Sequence, residues 1–401
     1  MSGIVVIGAG QAGSSLVAKL RGLGYEGDLT LVGAEPVLPY QRPPLSKKYL
    51  LGEMELERLF LRPESFYAEN KIALRLGARV DGIDRAAREV AIGPDCLSYD
   101  HLVLTTGSVP RRLPGPIGGD LDGVHVVREL ADVDAMAPSF ETGARVLIVG
   151  GGYIGLEAAA VAAAKELKVV LVEMSDRILQ RVAARQTSDY FRELHTRHGV
   201  DIREGVGLTR LTGDDKVSGA TLSDGTELAV DFVIVGVGIL PEVSLAQAAG
   251  LEIDNGIRTD PFGCTSDPYI WAAGDCASFP YHGVQLRLES VPNAIDMAEC
   301  VAENIMGAKK PYVPQPWFWS DQYDVKLQIA GLNTGYDDVV TRAGDQGVSF
   351  WYYAGDRLLA VDAANDARAY MVGKRLIDAG KTADKAVVAD PGADLKALLR
   401  V

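Results

Sequence analysis

Two segments of the chain show the same order of hydrophobic and polar positions. Ile4–Ile7 and Val146–Val149 are unbroken apolar runs, and each is followed by six glycine-rich residues. A helical pattern then begins, over Ser14–Arg21 in the first segment and Leu156–Glu166 in the second. Short apolar runs bounded by glycine are typical of buried parallel strands. The pattern therefore predicts two strand–turn–helix units, one at the N-terminus and one near the middle of the chain.

Both turns fit the spacing G-x-G-x-x-G. Between a strand and a helix, such a turn lets backbone amides approach a pyrophosphate at the positive end of the helix. One match is weak evidence, but two in the same context strongly predict two dinucleotide-binding halves; simple tight packing of the turns is the alternative. The predicted nucleotide-binding positions are Gly8, Gly10, Ala12 and Gly13 in the first turn and Gly150, Gly152, Tyr153, Ile154 and Gly155 in the second.

A carboxylate follows the second strand of each predicted half. Glu35 follows the run Leu29–Gly33, and Glu173 follows Val169–Val172, at 22 and 18 residues past the third glycine of their turns. A carboxylate at this point accepts hydrogen bonds from the adenosine ribose hydroxyls and repels a 2′-phosphate. Glu173 therefore predicts a preference for NADH over NADPH, which two nearby arginines weaken. A merely solvated Glu173 is the alternative.

Two later strand ends complete a recognisable set. Leu102–Gly107 ends in Thr-Gly, and Ile270–Asp275 ends in Gly-Asp. In this chain order the four motifs resemble the two-dinucleotide flavoprotein disulfide-reductase superfamily. The resemblance implies that the first turn binds FAD and the second receives NADH. It also implies that Thr106 and Gly107 mark the return from the flavin domain and that Asp275, after Gly274, holds the flavin ribityl chain; an ordinary turn is the alternative for Asp275.

The four cysteines, Cys96, Cys264, Cys276 and Cys300, include no C-x-x-C pair. Superfamily members that reduce disulfides carry a redox dithiol after the first strands, and oxidase and peroxidase members carry a single cysteine. The corresponding stretch here, Tyr40–Lys47, contains no sulfur. We expect Cys276 to be a small buried residue, because free cysteine usually packs as a hydrophobe. The resemblance then implies that electrons pass from the flavin to an external acceptor.

Three segments resemble a narrower branch, the NADH-dependent ferredoxin reductases of bacterial oxygenase systems. They are Arg42–Lys47, Glu289–Ala294 and Trp317–Tyr323. The similarity extends over essentially the whole chain and is closest to putidaredoxin-reductase-like proteins, which serve cytochrome P-450 monooxygenases. Reductases of aromatic-ring dioxygenases usually have Trp where Pro292 stands. The resemblance implies an NADH:ferredoxin oxidoreductase that delivers single electrons to a 2Fe-2S ferredoxin.

Four other functions fit the same motifs. They are the reductase component of a Rieske-type dioxygenase, a rubredoxin reductase, a flavin NADH oxidase and an NADH-sensing protein like apoptosis-inducing factor. The oxidase is disfavoured by the missing cysteine. The sensing role is disfavoured by the acidic composition, since proteins of that kind tend to be basic.

The resemblance also implies roles for single residues. Lys47 and Glu157 are expected as the catalytic residues, with Lys47 near flavin N5 and the two in an ion pair that is partly shielded from water. An exposed lysine and a solvated glutamate are the alternative. Pro292 is expected at the first position of a helix that runs to about Met306, with its N-terminus at the flavin pyrimidine edge. The further flavin-binding positions that the resemblance implies are Arg42, Val291 and Trp319.

These motifs predict an α/β fold with two Rossmann-like domains, the NAD domain inserted in the FAD domain, and a small α+β C-terminal domain. The boundaries are 1–108 and 235–310 for FAD, 109–234 for NADH and 311–401 for the C-terminal domain, which begins with a proline-rich linker, Pro311–Pro316. The elements expected in the last domain are strands over Val325–Ala330, Asp338–Arg342, Val348–Tyr353 and Leu358–Asp362, a hairpin turn over Tyr353–Arg357 and a helix over Asn365–Ala379.

Composition narrows the partners. The chain of 401 residues has a formal charge of −14, which argues against nucleic acid or an anionic membrane as a partner. An apolar strand that begins at Ile4 leaves no room for a leader, and few, unpaired cysteines point to the cytoplasm. An acidic ferredoxin needs a local basic patch; Lys309, Lys310 and Lys326 are candidates, with solubilising lysines as the alternative.

One pair of histidines has a spacing that suggests a metal. His195 and His198 are three residues apart on a helical stretch, but no third or fourth ligand accompanies them. We therefore expect no metal site and interpret both histidines as surface residues of a helix.

Overall fold

The computed structural model describes residues 3–345 and 347–400, which divide into two units. Unit 1 comprises residues 3–42, 55–109 and 239–316, and unit 2 comprises the described residues of 43–54, 110–238 and 317–400. Within the described residues, no helix is both long and apolar enough to cross a bilayer.

The strands, numbered β1 to β25 in chain order, are Gly3–Ile7, Leu29–Val32, Ala73–Arg75, Gly82–Asp84, Glu89–Ile92, Asp95–Leu104, Ser108–Pro110, Val124–Val126, Arg145–Val149, Lys168–Glu173, Asp201–Glu204, Leu208–Gly213, Val217–Leu222, Glu227–Ala229, Phe232–Val235, Ile239–Pro241, Ile257–Arg258, Ile270–Ala272, Ala277–Tyr281, Val284–Leu286, Trp317–Gln322, Val325–Gly331, Asp338–Ala343, Val348–Ala354 and Arg357–Ala364.

The α-helices, numbered α1 to α9, are Gln11–Gly22, Glu64–Glu69, Leu130–Met136, Tyr153–Ala164, Arg185–Arg197, Ser244–Ala248, Val291–Ile305, Ala367–Asp378 and Lys385–Ala389. Short 3-10 helices span Leu56–Arg58, Gly115–Ile117, Ala137–Ser139 and Leu395–Arg400. The turn Leu45–Tyr49 is helical only in part, because Lys47 in its middle has the non-helical angles φ −137° and ψ −113°.

Unit 1 is built around a largely parallel sheet. Its parallel part has the order β3-β2-β1-β6-β18, and β5 and β4 extend β6 in antiparallel pairing. All five residues of β1 are buried, which explains why the segment is an unbroken apolar run rather than an alternating one. Helix α1 begins shortly after the carboxyl end of β1. It packs against α7, the longest helix of unit 1.

Unit 2 contains one parallel and two antiparallel sheets. The parallel sheet has the order β11-β10-β9-β15-β8, with α4 connecting β9 to β10. The antiparallel sheets have the orders β12-β13-β14 and β21-β22-β25-β24-β23. Helix α8 follows β25 directly and packs on it. The mixture of parallel α/β layers and an α+β segment at the C-terminus agrees with the predicted α/β fold class.

Local chemistry moves the helix ends away from their predicted positions. Helix α1 begins at Gln11 and not at Ser14, because Gly10 serves as its extended N-cap. Helix α8 begins at Ala367 because the Asp366 carboxylate accepts the Ala369 N–H at 2.9 Å. Helix α4 ends at Ala164 and not at the predicted Glu166, because Glu166 has φ +62°, which a helix cannot include.

The C-terminal sheet contains the four strands predicted for it, β22 to β25, each within three residues of the expected bounds. Gly355, at φ +57°, lies in the predicted hairpin turn between β24 and β25. The pattern of the aromatic segment Trp317–Gln322 predicts no strand, yet the segment forms β21 and pairs antiparallel with β22. The segment begins with three consecutive aromatic residues and so lacks the alternation of apolar and polar residues that marks a strand. In the structure these three positions are all half-buried.

The proline-rich segment before β21 has no regular structure, as expected of a linker. It is nevertheless anchored in unit 1, because the buried Tyr312 donates its hydroxyl to Asn293 Oδ1 at 2.9 Å and packs edge-on against Phe279. The buried, hydrogen-bonded Tyr312 therefore fixes a segment whose proline-rich composition predicts only a linker.

A buried carboxyl joins α5 to the C-terminal sheet within unit 2. Asp362, in β25, is about 1 % exposed, and its Oδ2 accepts hydrogen bonds from the Tyr352 hydroxyl and from Thr187 Oγ1 at 2.8 Å. Burial raises the pKa of Asp362 from 3.8 to about 6, although the two hydroxyl donors act in the opposite direction.

This raised pKa predicts how stability depends on pH. Between pH 4 and pH 6 the unfolded chain has lost the Asp362 proton while the native protein keeps it, so native stability falls as the pH rises. Between pH 5 and pH 6 this one-proton difference lowers the free energy of unfolding by about 1.4 kcal/mol. In Asp362→Asn, which stays neutral, we expect the loss of unfolding free energy between pH 5 and pH 7 to be smaller by about this amount. Urea unfolding at both pH values measures it.

The matched control for this experiment is Asp356→Asn, at an exposed position of the hairpin turn. The control should follow the wild-type pH dependence. Identical pH dependence in Asp362→Asn and in the wild type would contradict the assignment of a raised pKa to Asp362.

Candidate dinucleotide-binding sites

The glycines of the first fingerprint divide into two kinds. Gly8 has φ +111°, and a methyl group there would lie 2.2 Å from the carbonyl oxygen of Thr105. A methyl group at Gly13 would lie 2.1 Å from the Gly8 carbonyl oxygen. At Gly10, in contrast, a methyl group would meet no atom within 4 Å. The outer glycines are therefore required by the fold, whereas the middle one leaves bare backbone facing open space.

The second fingerprint repeats this division. Methyl groups at Gly150 and Gly155 would lie 2.4 Å from the Gly236 carbonyl oxygen and 2.0 Å from the Gly150 carbonyl oxygen. Gly152 again has no atom within 4 Å of the added carbon, and it is the N-cap of α4. A middle glycine whose side-chain space is open is the position at which a pyrophosphate approaches the backbone. Both turns therefore fit a bound dinucleotide.

In unit 1, the other predicted flavin residues gather around the first turn. Thr105 Oγ1 donates to the Gly8 carbonyl at 2.8 Å, next to the predicted Thr106 and Gly107. Asp275 Oδ2 accepts from Ser108 Oγ at 3.0 Å, which ties the late Gly-Asp motif to the Thr-Gly turn. A methyl group on Gly274 would lie 3.1 Å from the Ala12 methyl carbon. Motifs that are far apart in sequence thus share one end of the unit 1 sheet.

Glu35 lies just beyond β2 and is held by two neighbours. Its Oε1 pairs with the Arg42 guanidinium at 2.6 Å, and its Oε2 accepts from the Tyr40 hydroxyl at 2.5 Å. The predicted residues Glu35 and Arg42 are therefore in direct contact. The arginine orients the carboxylate and offsets part of its charge.

Glu173 is the last residue of β10 and lies against the second fingerprint. Its Oε2 accepts the Gly151 N–H and its Oε1 accepts the Ser175 N–H, both at 2.8 Å. Each carboxylate oxygen has two lone pairs, so one acceptor position on each oxygen is left for a ligand hydroxyl. The backbone donors fix the carboxylate where a ribose is expected.

Helix α7 begins one residue earlier than expected. Val291 is its first residue and Pro292 its second, so the prediction that Pro292 opens the helix is wrong by one position. The reason is Ser290, whose extended backbone and side-chain oxygen cap the helix by accepting the Asn293 N–H at 3.2 Å. Proline is tolerated at the second position because the first-turn N–H groups have no helical partner.

The predicted ion pair between Lys47 and Glu157 is present in unit 2. Lys47 Nζ lies 2.9 Å from Glu157 Oε1, and both side chains are largely buried. Ser46 Oγ donates to Glu157 Oε2 at 3.1 Å, and Ser320 Oγ lies 2.7 Å from Oε1. Burial raises the pKa of Glu157, while Lys47 and the two serines act to lower it. The alternative of a solvated helical glutamate is wrong.

Aromatic side chains lie at the start of α4 and in β21. The Tyr153 ring lies 5.1 Å from the Phe318 ring, and its buried hydroxyl has no hydrogen-bond partner among the described residues. Trp319 stacks on Trp317 at 5.4 Å, and Ile154 is exposed. An unpartnered buried hydroxyl beside a fingerprint is consistent with a site that a ligand completes.

The interpretation of His195 as a surface residue is wrong. His195 is fully buried, with Nε2 at 2.7 Å from Gln322 Oε1 and Nδ1 at 3.1 Å from the Tyr323 hydroxyl. His198 is exposed and stacks on the Tyr323 ring at 3.7 Å. The helical spacing could not reveal this, because the partners of His195 are Gln322, in the strand β21 that was not predicted, and Tyr323 directly after it. Across residues 3–345 and 347–400, no group of three or more potential ligands is arranged to hold a metal ion.

The cysteines show no dithiol. All four are free in the described structure, and Cys276 is buried as expected, with its Sγ near the Leu104 and Ala273 carbonyls. Burial raises the thiol pKa of Cys276 and Cys300, and it raises that of Cys264 to about 11. Raised thiol pKa values keep sulfur protonated and weakly nucleophilic near neutral pH.

Four short polar residues take part in these sites without having been predicted. Their spacing carries no motif, and serine and threonine are common in turns and caps. The only signal was their position within or directly beside segments already singled out, next to Lys47, Thr106, Gly107 and Trp319. They are Ser46, Thr105, Ser108 and Ser320.

The fold and the two fingerprints define a two-dinucleotide oxidoreductase. Residues 2–298 match the family model "Pyridine nucleotide-disulphide oxidoreductase", and residues 317–399 match "Reductase C-terminal". The chain belongs to the pyridine nucleotide-disulphide oxidoreductase family. This membership implies FAD and a nicotinamide nucleotide as cofactors.

Individual relatives extend over nearly the full length. Rhodocoxin reductase of Rhodococcus erythropolis is 41 % identical over 98 % of this chain and 93 % of its own length. A ferredoxin–NAD(P)(+) reductase of a Sphingomonas species is 43 % identical over 94 % of this chain and 92 % of its own. The crystal structure of the covalent putidaredoxin reductase–putidaredoxin complex matches with TM-score 0.95 and 38 % identity, covering 100 % of this chain and 98 % of the other.

The two kinds of glycine predict opposite effects of the same substitution. Gly152→Ala should leave the unfolding free energy within about 1 kcal/mol of wild type, because the added carbon has space and only the N-cap preference changes. It should weaken NADH binding at least about tenfold, the equivalent of one lost hydrogen bond to a charged group. Thermal unfolding and an NADH titration measure the two quantities.

Gly155→Ala provides the matched comparison in the same turn. Its methyl group would collide with a backbone carbonyl, so we expect a lower unfolding midpoint before any effect on affinity is considered. Equal effects of the two substitutions on stability would contradict the division.

Proposed function

We propose that this chain is an NADH:ferredoxin oxidoreductase, an FAD flavoprotein that takes hydride from NADH and passes single electrons to a 2Fe-2S ferredoxin. The observation that carries the proposal is the pair of fingerprints with open middle glycines, combined with four cysteines that form no dithiol. Without a sulfur pair in the chain, reducing equivalents go to an external acceptor. The name of the Sphingomonas relative, a ferredoxin–NAD(P)(+) reductase, supports that acceptor class.

We assign FAD to the fingerprint of unit 1 and NADH to that of unit 2. Glu35 would accept the ribose hydroxyls of the flavin adenosine, and Asp275 would hold the ribityl chain. The predicted boundaries of 1–108 and 235–310 for FAD, 109–234 for NADH and 311–401 for the C-terminal domain remain part of this proposal. The family model that covers 317–399 supports a separate C-terminal segment.

Bound FAD supplies the conversion between a two-electron hydride and single-electron transfer. The chain contributes charge and orientation. Lys47, held by Glu157, would place a fixed positive charge in the flavin site, and preorganised charge of this kind stabilises a negative charge that develops on reduction. The N-terminus of α7 would add a positive helix end, worth about 0.3–1 kcal/mol when exposed and more when partly buried.

NADH is the proposed donor because of the Glu173 carboxylate. A 2′-phosphate next to this residue would face a fixed negative charge, whereas a ribose with free hydroxyls would donate hydrogen bonds to it. The backbone donors on both oxygens keep the carboxylate from turning away.

The terminal oxygenase is proposed to be a cytochrome P-450, supplied through the ferredoxin. Support comes from Pro292, where dioxygenase reductases usually have Trp. We place the protein in the cytoplasm, since its cysteines are unpaired. A Rieske-type dioxygenase is the competing destination, and the choice of ferredoxin tests it.

Stopped-flow mixing with NADH tests the proposed reaction. We expect rapid bleaching of the flavin, followed by cytochrome c reduction only when a 2Fe-2S ferredoxin is added. Putidaredoxin should give faster turnover than a dioxygenase ferredoxin; the reverse order would move the protein to the dioxygenase systems. A long-lived charge-transfer absorption, with no turnover on any ferredoxin, would contradict the proposed reaction and favour an NADH-sensing function.

Glu173→Gln tests the nucleotide preference. This variant keeps one of the two oxygens that accept backbone N–H groups and removes the charge, so kcat/KM for NADPH should rise relative to NADH, by about tenfold if one charged contact is responsible. Glu193→Ala, an exposed glutamate on α5, is the control. An unchanged ratio between the two nucleotides would remove Glu173 from the specificity argument.

A further inference from the structure

A continuous line of hydrogen-bonded side chains connects Glu157 to the buried His195 within unit 2. Ser320 Oγ lies 2.7 Å from Glu157 Oε1 and 3.1 Å from Gln322 Nε2. Gln322 Oε1 lies 2.7 Å from His195 Nε2, and His195 Nδ1 lies 3.1 Å from the Tyr323 hydroxyl. Ser320, Gln322 and His195 are each at most 1 % exposed, so water cannot replace these partners.

The ionised carboxylate fixes the direction of every hydrogen bond in this line. Ser320 has a single hydroxyl proton, and a contact of 2.7 Å with a carboxylate oxygen requires that proton. Ser320 must then accept from Gln322, which places the amide nitrogen towards Ser320 and the amide oxygen towards His195. The oxygen can only accept, so His195 carries its proton on Nε2, and Nδ1 accepts from Tyr323.

The opposite arrangement is consistent only when Glu157 is neutral. A protonated Glu157 would donate to Ser320, Ser320 would donate to a reversed Gln322 amide, and the amide nitrogen would donate to His195 Nε2. The imidazole would then carry its proton on Nδ1 and donate to Tyr323. It would lose one proton from Nε2 and gain one at Nδ1 by exchange with solvent, so the net uptake is the single proton on Glu157.

We propose that His195 is a positioning residue for Glu157: through Gln322 and Ser320, its Nε2–H tautomer holds the carboxylate ionised and directed at Lys47. The line spans three elements, with Glu157 in α4, His195 in α5 and the two polar residues in β21. The use of this ion pair in electron transfer rests on the proposed function, whereas its coupling to His195 does not.

The charged and titratable groups around the line are compatible with this role. On the Glu157 side, Lys47 from the turn Leu45–Tyr49 supplies the positive charge that lowers the carboxyl pKa against the effect of burial. On the His195 side, burial and the nearby His198 lower the imidazole pKa to about 4, although Gln322 acts to raise it. His195 is therefore neutral near pH 7, as a single-tautomer donor must be.

Two spectroscopic signals on the FAD-loaded protein test the coupling. Nitrogen NMR of ¹⁵N-histidine-labelled protein reports which ring nitrogen of His195 is protonated, and His195→Gln identifies its signals. The infrared band of a protonated carboxylic acid, identified by its loss in Glu157→Gln, reports the state of Glu157. At pH 7 we expect the Nε2–H tautomer and no acid band.

Lys47→Met removes the positive charge, and lowering the pH of this variant should produce the acid band. We expect His195 to change to the Nδ1–H tautomer over the same pH interval. An Nδ1–H tautomer in the wild type at pH 7, or an acid band that appears without a change of tautomer, would overturn the proposal. Neither signal depends on ferredoxin, so failure here is distinguishable from failure of the proposed reaction.

Variants of the line separate positioning from simple packing. His195→Gln keeps an N–H donor for Gln322, so the pH at which Glu157 takes up its proton should stay near the wild-type value. His195→Phe fills the space without a donor, and this pH should rise. Gln322→Met, which interrupts the line between His195 and Ser320, should raise it as well and serves if His195→Phe does not fold. A proton-uptake pH in His195→Phe, or in Gln322→Met in its place, equal to that of the wild type would refute the role.

Discussion

The enclosed charge of Glu157 is the constraint on which the arrangement of unit 2 depends. A carboxylate without water is costly unless an opposite charge and hydrogen-bond donors surround it. Here the compensation comes from the turn Leu45–Tyr49, which supplies Lys47 and Ser46, and from β21, which supplies Ser320. Segments more than a hundred residues apart must therefore meet at one side of α4. The rest of α4 is almost entirely apolar, so Glu157 is the residue that determines which segments pack on this side of the helix.

The glycine fingerprints combine requirements of folding and of binding in a single turn. The outer glycines let a helix approach its strand so closely that a methyl group would strike a carbonyl oxygen. The middle glycine makes no such demand on the fold. The same division occurs independently in both units, which argues against an accident of local packing. A glycine pattern in sequence cannot distinguish these two reasons, whereas the space around each glycine in the fold does.

Much of the fold and of the site composition follows from the sequence. The two strand–turn–helix units, the four C-terminal strands and the Lys47–Glu157 pair were all predicted, because each has either a strong local pattern or a motif resemblance. The helix starts were less accurate. Gly10 caps α1 through backbone geometry that polarity does not reveal, whereas Ser290 and Asp366 cap α7 and α8 with side-chain oxygens, a signal that the sequence does contain. The burial of His195 was missed for a different reason: it depends on β21, whose aromatic residues do not alternate.

The buried polar contacts of the C-terminal sheet have a consequence for engineering by domain exchange. Thr187 in α5 bonds Asp362 in β25, and Glu157 and His195 bond residues of β21. A chimera that took residues 317–400 from a relative would therefore inherit donors and acceptors shaped for another chain's helices. An exchange that begins at residue 317 would separate each of these hydrogen-bonded pairs. A transplant of the segment should therefore include the positions of Glu157, Thr187 and His195 as well.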